Sequence, residues 1–128
     1  MNSLIVYGKP GFSFNEEELF QQWQNLPGVS HLEQGRFVGA SLQCEYECES
    51  DRTIARLSDE LRTVTIAGTG DASLQFALAL QQREAQPLFV TDFGYDFNIA
   101  LQGLRSIDEI KRDMVASLDF AENVYEVA

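Results

Sequence analysis

The chain is expected to be an α+β protein: a largely antiparallel β-sheet with about three helices packed on one face, a two-layer sandwich. Three observations predict this. First, residues 41–50, SLQCEYECES, set Leu42, Cys44, Tyr46 and Cys48 against Gln43, Glu45, Glu47 and Glu49. That period of two belongs to a strand with one buried face. Second, β-rich segments follow one another between residues 29 and 67 with short polar turns, the mark of an antiparallel meander. Third, helical stripes with N-terminal start signals interrupt the strands, and each stripe needs a sheet to cover. With 128 residues, 45% of them apolar, the chain can bury one core without staples. No linker, repeat or low-complexity tract divides 1–128, so a single domain is expected.

Residues 3–8, SLIVYG, read as a short buried strand closed by Lys9-Pro10-Gly11. The first helix then carries a clear start. Asn15 caps it, Glu18 stands at the third helical position, and Phe14 with Leu19 forms a hydrophobic staple. Leu19, Phe20, Trp23 and Leu26 give its inward stripe, and Pro27-Gly28 ends it. Next, a strand runs through Arg36–Val38 into 41–49, a second spans Thr53–Leu57, and a third spans Arg62–Ala67 with its β-branched residues. Gly68-Thr69-Gly70 opens the second helix with Asp71 as its cap. Leu74, Phe76, Ala77, Leu78 and Leu80 make that helix apolar around most of its circumference, so it lies buried on the sheet. Leu88–Thr91 and Phe97–Leu101 are strands joined by a turn at Asp92–Asp96. The last helix starts with a capping box from Ser106 to Glu109 and buries Ile107, Ile110, Met114 and Leu118. Residues 119–128 carry no assignment.

Twenty acids face nine Lys+Arg, for a net charge of −11 and a sequence pI near 4.3. This charge repels phosphate backbones and anionic lipid surfaces, which argues against nucleic-acid and membrane binding. The cations are seven arginines and only Lys9 and Lys111. Arginine favours partly buried bidentate pairs, so several acids are expected to be neutralised within the fold. The amino-terminal apolar run, Leu4–Tyr7, is too short for a signal peptide or a membrane span, and a cytoplasmic location with reduced cysteines is expected.

Familiar chemistry is removed one class at a time. On a strand, Cys44 and Cys48 stand about 13 Å apart, beyond the roughly 7 Å that a disulfide allows between Cα atoms. A zinc site needs two more ligands, and the chain has one histidine, His31, and no further cysteine. The cysteines are expected to fill the core, with no metal. Any Ser-His-Asp or Cys-His set must use His31, which no nucleophile signature flanks. TIAGTGDAS, residues 65–73, outlines a dinucleotide loop, but Ser73 replaces its third glycine and Asp71 puts negative charge where a pyrophosphate would sit. Asp92-Phe93-Gly94 has the letters of a kinase metal triplet without the other kinase elements. Neither a cofactor nor catalysis is expected.

Glu45, Glu47 and Glu49 are then left as a row about 7 Å apart along one strand face. Such a row suits solvent, pairing to Arg52, Arg56 or Arg62 on a neighbouring strand, or a basic protein surface. The segment Phe93-Gly94-Tyr95-Asp96-Phe97 interleaves aromatics with acids and could supply an interface anchor. Glu45, Glu47, Glu49, Asp92, Tyr95 and Asp96 are thus the candidate partner-binding residues. In its size, acidity, α+β pattern and lack of a catalytic set, the chain resembles bacterial immunity proteins, small cytosolic inhibitors of toxins. Glu45, Glu47 and Glu49 carry that resemblance best. It implies a non-enzymatic protein that occludes a basic cognate toxin such as a nuclease. Two other readings stay open: a small-molecule or enzymatic domain with a pocket between the sheet and helix 71–85 or near Tyr95, and a subunit that self-associates through a strand edge.

Overall fold

The computed structural model describes the backbone of residues 3–94 and 96–127, and their side chains except at 36, 37 and 118–127. The order is β1 (Ser3–Gly8), α1 (Glu16–Asn25), β2 (Val29–Phe37), β3 (Ala40–Cys48), β4 (Asp51–Ser58) and β5 (Thr63–Ala67). Then come α2 (Asp71–Gln82), β6 (Leu88–Asp92), β7 (Asn98–Ala100) and α3 (Ile107–Val127). One seven-stranded sheet has the order β2-β3-β4-β5-β1-β6-β7, and every strand pair is antiparallel. The predicted α+β sandwich is the observed one.

Alternation decides which face is covered. Leu4, Val6, Leu42, Cys44, Ala55, Leu57, Val64, Ile66, Leu88 and Val90 point to the helices, each 0–1% exposed. They form one cluster with Leu19 and Trp23 of α1, most of α2, and Ile110 of α3. At its centre the Phe76 ring meets Trp23 at 5.3 Å and Tyr46 at 5.2 Å, both edge-on, the arrangement that ring quadrupoles favour. The intervening residues, among them Ile5, Tyr7, Ile54, Arg56, Thr65 and Phe89, face the other way, outside the cluster that the described helical residues form.

Helix α1 starts as expected: Asn15 Oδ1 accepts the Glu18 N–H at 3.0 Å, and Phe14 and Leu19 are both buried. Ser106 Oγ accepts the Glu109 N–H at 3.3 Å, but the Glu109 carboxylate turns to the Arg105 N–H at 3.2 Å. The box is therefore closed one residue earlier than its usual reciprocal form. Helix α3 continues through the stretch that sequence leaves unassigned.

Two local expectations are corrected. The single strand expected through 36–38 into 41–49 is two strands, β2 and β3, folded back at Val38-Gly39. Phe37 pairs with Ala40, and Gly39 takes φ +80°, the left-handed position that a two-residue turn demands. The β-forming Phe37 and Val38 beside it disguise that turn. The cap of α2 is also different. Its N-cap residue is Gly70, which has no side chain to offer, and Asp71 lies inside the helix. Asp51, at the start of β4, supplies the missing acceptor: its Oδ2 takes the Ala72 N–H at 2.9 Å. A Cβ on Gly70 would stand 2.5 Å from that oxygen, so glycine at 70 is what lets the carboxylate in. Asp71 instead reaches Lys111 of α3 at 2.9 Å, and that bond raises the Lys111 pKa.

At the other end of α2, buried Gln81 fixes the return to β6. Its amide nitrogen donates to the carbonyls of Glu84 and Gln86, and its oxygen accepts from Leu88 N–H at 2.6 Å. A polar group this buried is tolerated because its donors and acceptor are used.

Candidate functional site

The glutamate row divides in the structure. Glu45 and Glu47 project from β3 on the open face, opposite Ile54 and Arg52 of β4. Arg52 bonds Glu47 at 3.1 Å and lies 3.9 Å from Glu45. Glu45 also accepts from Nδ1 of His31 at 2.6 Å. His31 arrives there from a β2 bulge between Ser30 and Glu33, where it holds a positive φ of 51°. These pairs are exposed to water and are worth under about 1 kcal/mol each. They do, however, satisfy the two carboxylates locally. Glu49 does not share their face. It sits in the two-residue turn that joins Cys48 to its partner Asp51, with φ +56°, so its alternation with Glu47 stops at the strand end.

Of the second group, Tyr95 lies outside the described residues. Asp92 is only 4% exposed, and its Oδ1 accepts the Asp96 N–H at 2.8 Å. It holds the β6–β7 turn together and is too buried to meet a partner, which corrects its place among the contact residues. Thr91 adds a second tie, donating to the Phe97 carbonyl at 2.6 Å. Phe97 turns into the core at 5% exposure, while Phe93 stands out at 61% with exposed Asp96 close by in the turn. A turn tied by two side-chain bonds thus presents the Phe93 ring to solvent.

Register relates the two regions. Cys44, Ala55, Ile66, Leu4 and Asp92 lie in one row across the sheet. The β3–β4 turn with Glu49 and the β6–β7 turn with Phe93 and Asp96 both project beyond that row at the same end. Four strand spacings across the sheet, roughly 19 Å, and about four residues along the strands, roughly 13 Å, separate them. A partner of ordinary size spans that distance, since each side of a standard interface covers about 800 Å².

Both cysteines are free. Cys44 is fully buried, and burial pushes its thiol up to about 12, so it is a core filler and no nucleophile. Cys48 is half-buried at the strand end. Among the described residues, no group of three or more His, Cys, Asp or Glu side chains converges as metal ligands would. The Gly-x-Gly helix start is occupied by Asp51, the protein's own carboxylate, at the place where a bound phosphate would need free N–H groups. Helix α2 packs closely: the depression between it and α1, lined by Trp23, Phe76 and Arg83 among others, holds about 10 Å³, room for one water molecule. Among the described residues, this depression beside α2 is too small for a metabolite.

Sequence reasoning missed Asp51 and the exposure of Phe93 relative to Phe97. The first had a signal, a helix start at glycine with no side-chain cap of its own. The second follows only from the β6–β7 register, which turns Phe97 inward. No helix among the described residues is long and apolar enough to cross a membrane. No protein-family model matches the chain, nor does any curated protein or solved structure.

Proposed function

We propose that this chain is a protein-binding protein that occludes a basic partner, in the manner of an immunity protein bound to its toxin. The observation that carries this reading is Phe93, 61% exposed on a turn held by Thr91 and Asp92, with exposed Asp96 at its side. An aromatic ring on a preorganised turn loses little freedom on binding, the property of an interface hot spot. Charge supports the same reading. Of 20 acids, only Glu45, Glu47, Asp71 and Asp113 pair with cations among the described residues, so most of the −11 is free to steer a basic surface inward.

In this reading Phe93 enters an apolar pocket of the partner, and Asp96 and Glu49 meet cations at the rim. Glu45 and Glu47 contribute less, because Arg52 and His31 must first be released. The protein acts in the cytosol without catalysis or a cofactor, and its charge keeps it off nucleic acids. Capture from host extract, followed by binding of the purified partner over a salt series, tests the proposal. A partner with a basic surface is expected, with an association rate that falls steeply as salt rises. Capture of acidic partners only, or salt-independent association, would overturn it.

A further inference from the structure

We propose that a second site, at the opposite end of the sheet, binds a phosphate monoester of a small organic molecule. A depression of about 300 Å³ opens where the Lys9-Pro10-Gly11 turn meets the start of β5. Lys9, Arg62, Thr63, Tyr7 and Phe12 line it, and no carboxylate among the described residues does. That is unusual for a chain with 20 acids and nine Lys+Arg. Lys9 and Arg62 are both exposed, and neither has a carboxylate partner within 4.0 Å among the described residues. Asp59 and Glu60 lie on the same turn as Arg62 and still do not pair with it.

The backbone that carries these cations is fixed. Phe12 N–H donates to the Lys9 carbonyl at 2.9 Å, and Phe14 N–H to the Leu61 carbonyl at 2.6 Å. Ser58 Oγ accepts from both Arg62 and Thr63 N–H, at 3.2 and 3.3 Å. The Phe12 ring lies so close on Gly8 that an added Cβ there would meet it at 2.5 Å, and Phe14 holds its other side edge-on at 5.0 Å. The turn, the Phe12 ring and the backbone that carries the two cations are therefore fixed before any ligand arrives.

Each feature selects part of the ligand. Two unpaired cations favour an anion with more than one charge, and a phosphate monoester carries about −1.5 to −2 at pH 7. Arg62 offers a planar fork for two oxygens and Lys9 a point charge. The Phe12 ring and the Tyr7 ring, whose hydroxyl is already given to Asn98 at 2.6 Å, leave an apolar wall for the organic portion. Screening within about 8 Å at physiological ionic strength keeps the remote acids from cancelling this local charge. The site does not depend on the partner reading: Gly8 pairs with Leu88, at the far end of β6 from Asp92 and the Phe93 turn.

The test is an amide-resolved NMR titration at pH 7.5 and constant ionic strength with phenyl phosphate, inorganic phosphate and benzoate. Phenyl phosphate is expected to give saturable shifts at residues 8–12 and 62–63, at least tenfold tighter than benzoate and tighter than inorganic phosphate. Arg62→Ala and Lys9→Ala should each weaken it at least tenfold with unchanged thermal stability, and Arg62→Lys should weaken it less than Arg62→Ala. Equal affinity for inorganic and phenyl phosphate would overturn the ester assignment. Shifts that do not saturate, or that persist in Arg62→Ala, would overturn the site.

Discussion

The two faces of β3 carry the same chemistry problem to different ends. On one, Leu42, Cys44 and Tyr46 are 0–6% exposed and press on the aromatic centre at Phe76. On the other, Glu45 and Glu47 form an exposed network with Arg52 and His31. The buried face supplies stability and the outer one almost none, because burial removes apolar area from water while exposed ion pairs trade one polar environment for another. The outer network has a second consequence. By pairing the most conspicuous acids internally, it leaves Asp96 and the Phe93 ring as the exposed groups on which the proposed contact rests.

That contrast can be broken from the inside outward. Phe76→Ala removes the ring that joins Trp23 and Tyr46 and should cost about 3–5 kcal/mol in chemical denaturation. The thiol on the same face gives a pH signature. Cys44 has its pKa raised from 9.0 to about 12, so its contribution is complete below pH 9 and is lost as pH rises towards 12. Stability should therefore fall by about 1 kcal/mol between pH 8 and 10 in the wild type, and by less in Cys44→Ala. At the strand end, Asp51→Ala uncaps α2 and should cost about 1 kcal/mol, with exchange protection lost first at the Ala72 amide. Outermost, Glu45→Gln with Glu47→Gln should change stability by less than about 1 kcal/mol. A larger loss there would mean that the network holds the hairpin together and the two faces are not as unlike as described.

Where local chemistry and tertiary structure agree, the sequence was readable. The alternation in SLQCEYECES located β3 and its buried side, and Asn15 with Glu18 located the start of α1, because a strand period and a cap are set by near neighbours. The failures are of the opposite kind. Gly39 turns the chain directly after two residues of high β propensity, Phe37 and Val38, so β2 and β3 looked like one strand. The α2 cap comes from Asp51, 21 residues before the amide it accepts, so the uncapped Gly70 signals a missing acceptor without saying which residue supplies it. Glu49 kept the alternation in letters after the strand had ended. Asp92 looked like an exposed turn acid and is instead the tie that shapes the turn. The candidate site was legible as a segment, 92–97, but which of its rings faces outward depends on the pairing of β6 with β7.

In the proposed mode of binding, this acidic protein with its compensated glutamate row meets its partner through Phe93 and Asp96. The most direct test uses three baits on one host extract, wild type, Phe93→Ser with Asp96→Lys, and Glu45→Gln with Glu47→Gln, read by quantitative mass spectrometry. A basic protein is expected to be enriched on the wild type, retained by the glutamine variant, and reduced at least tenfold on the turn variant. Full retention of that protein by the turn variant, or its loss from the glutamine variant alone, would rule out binding through Phe93 and Asp96.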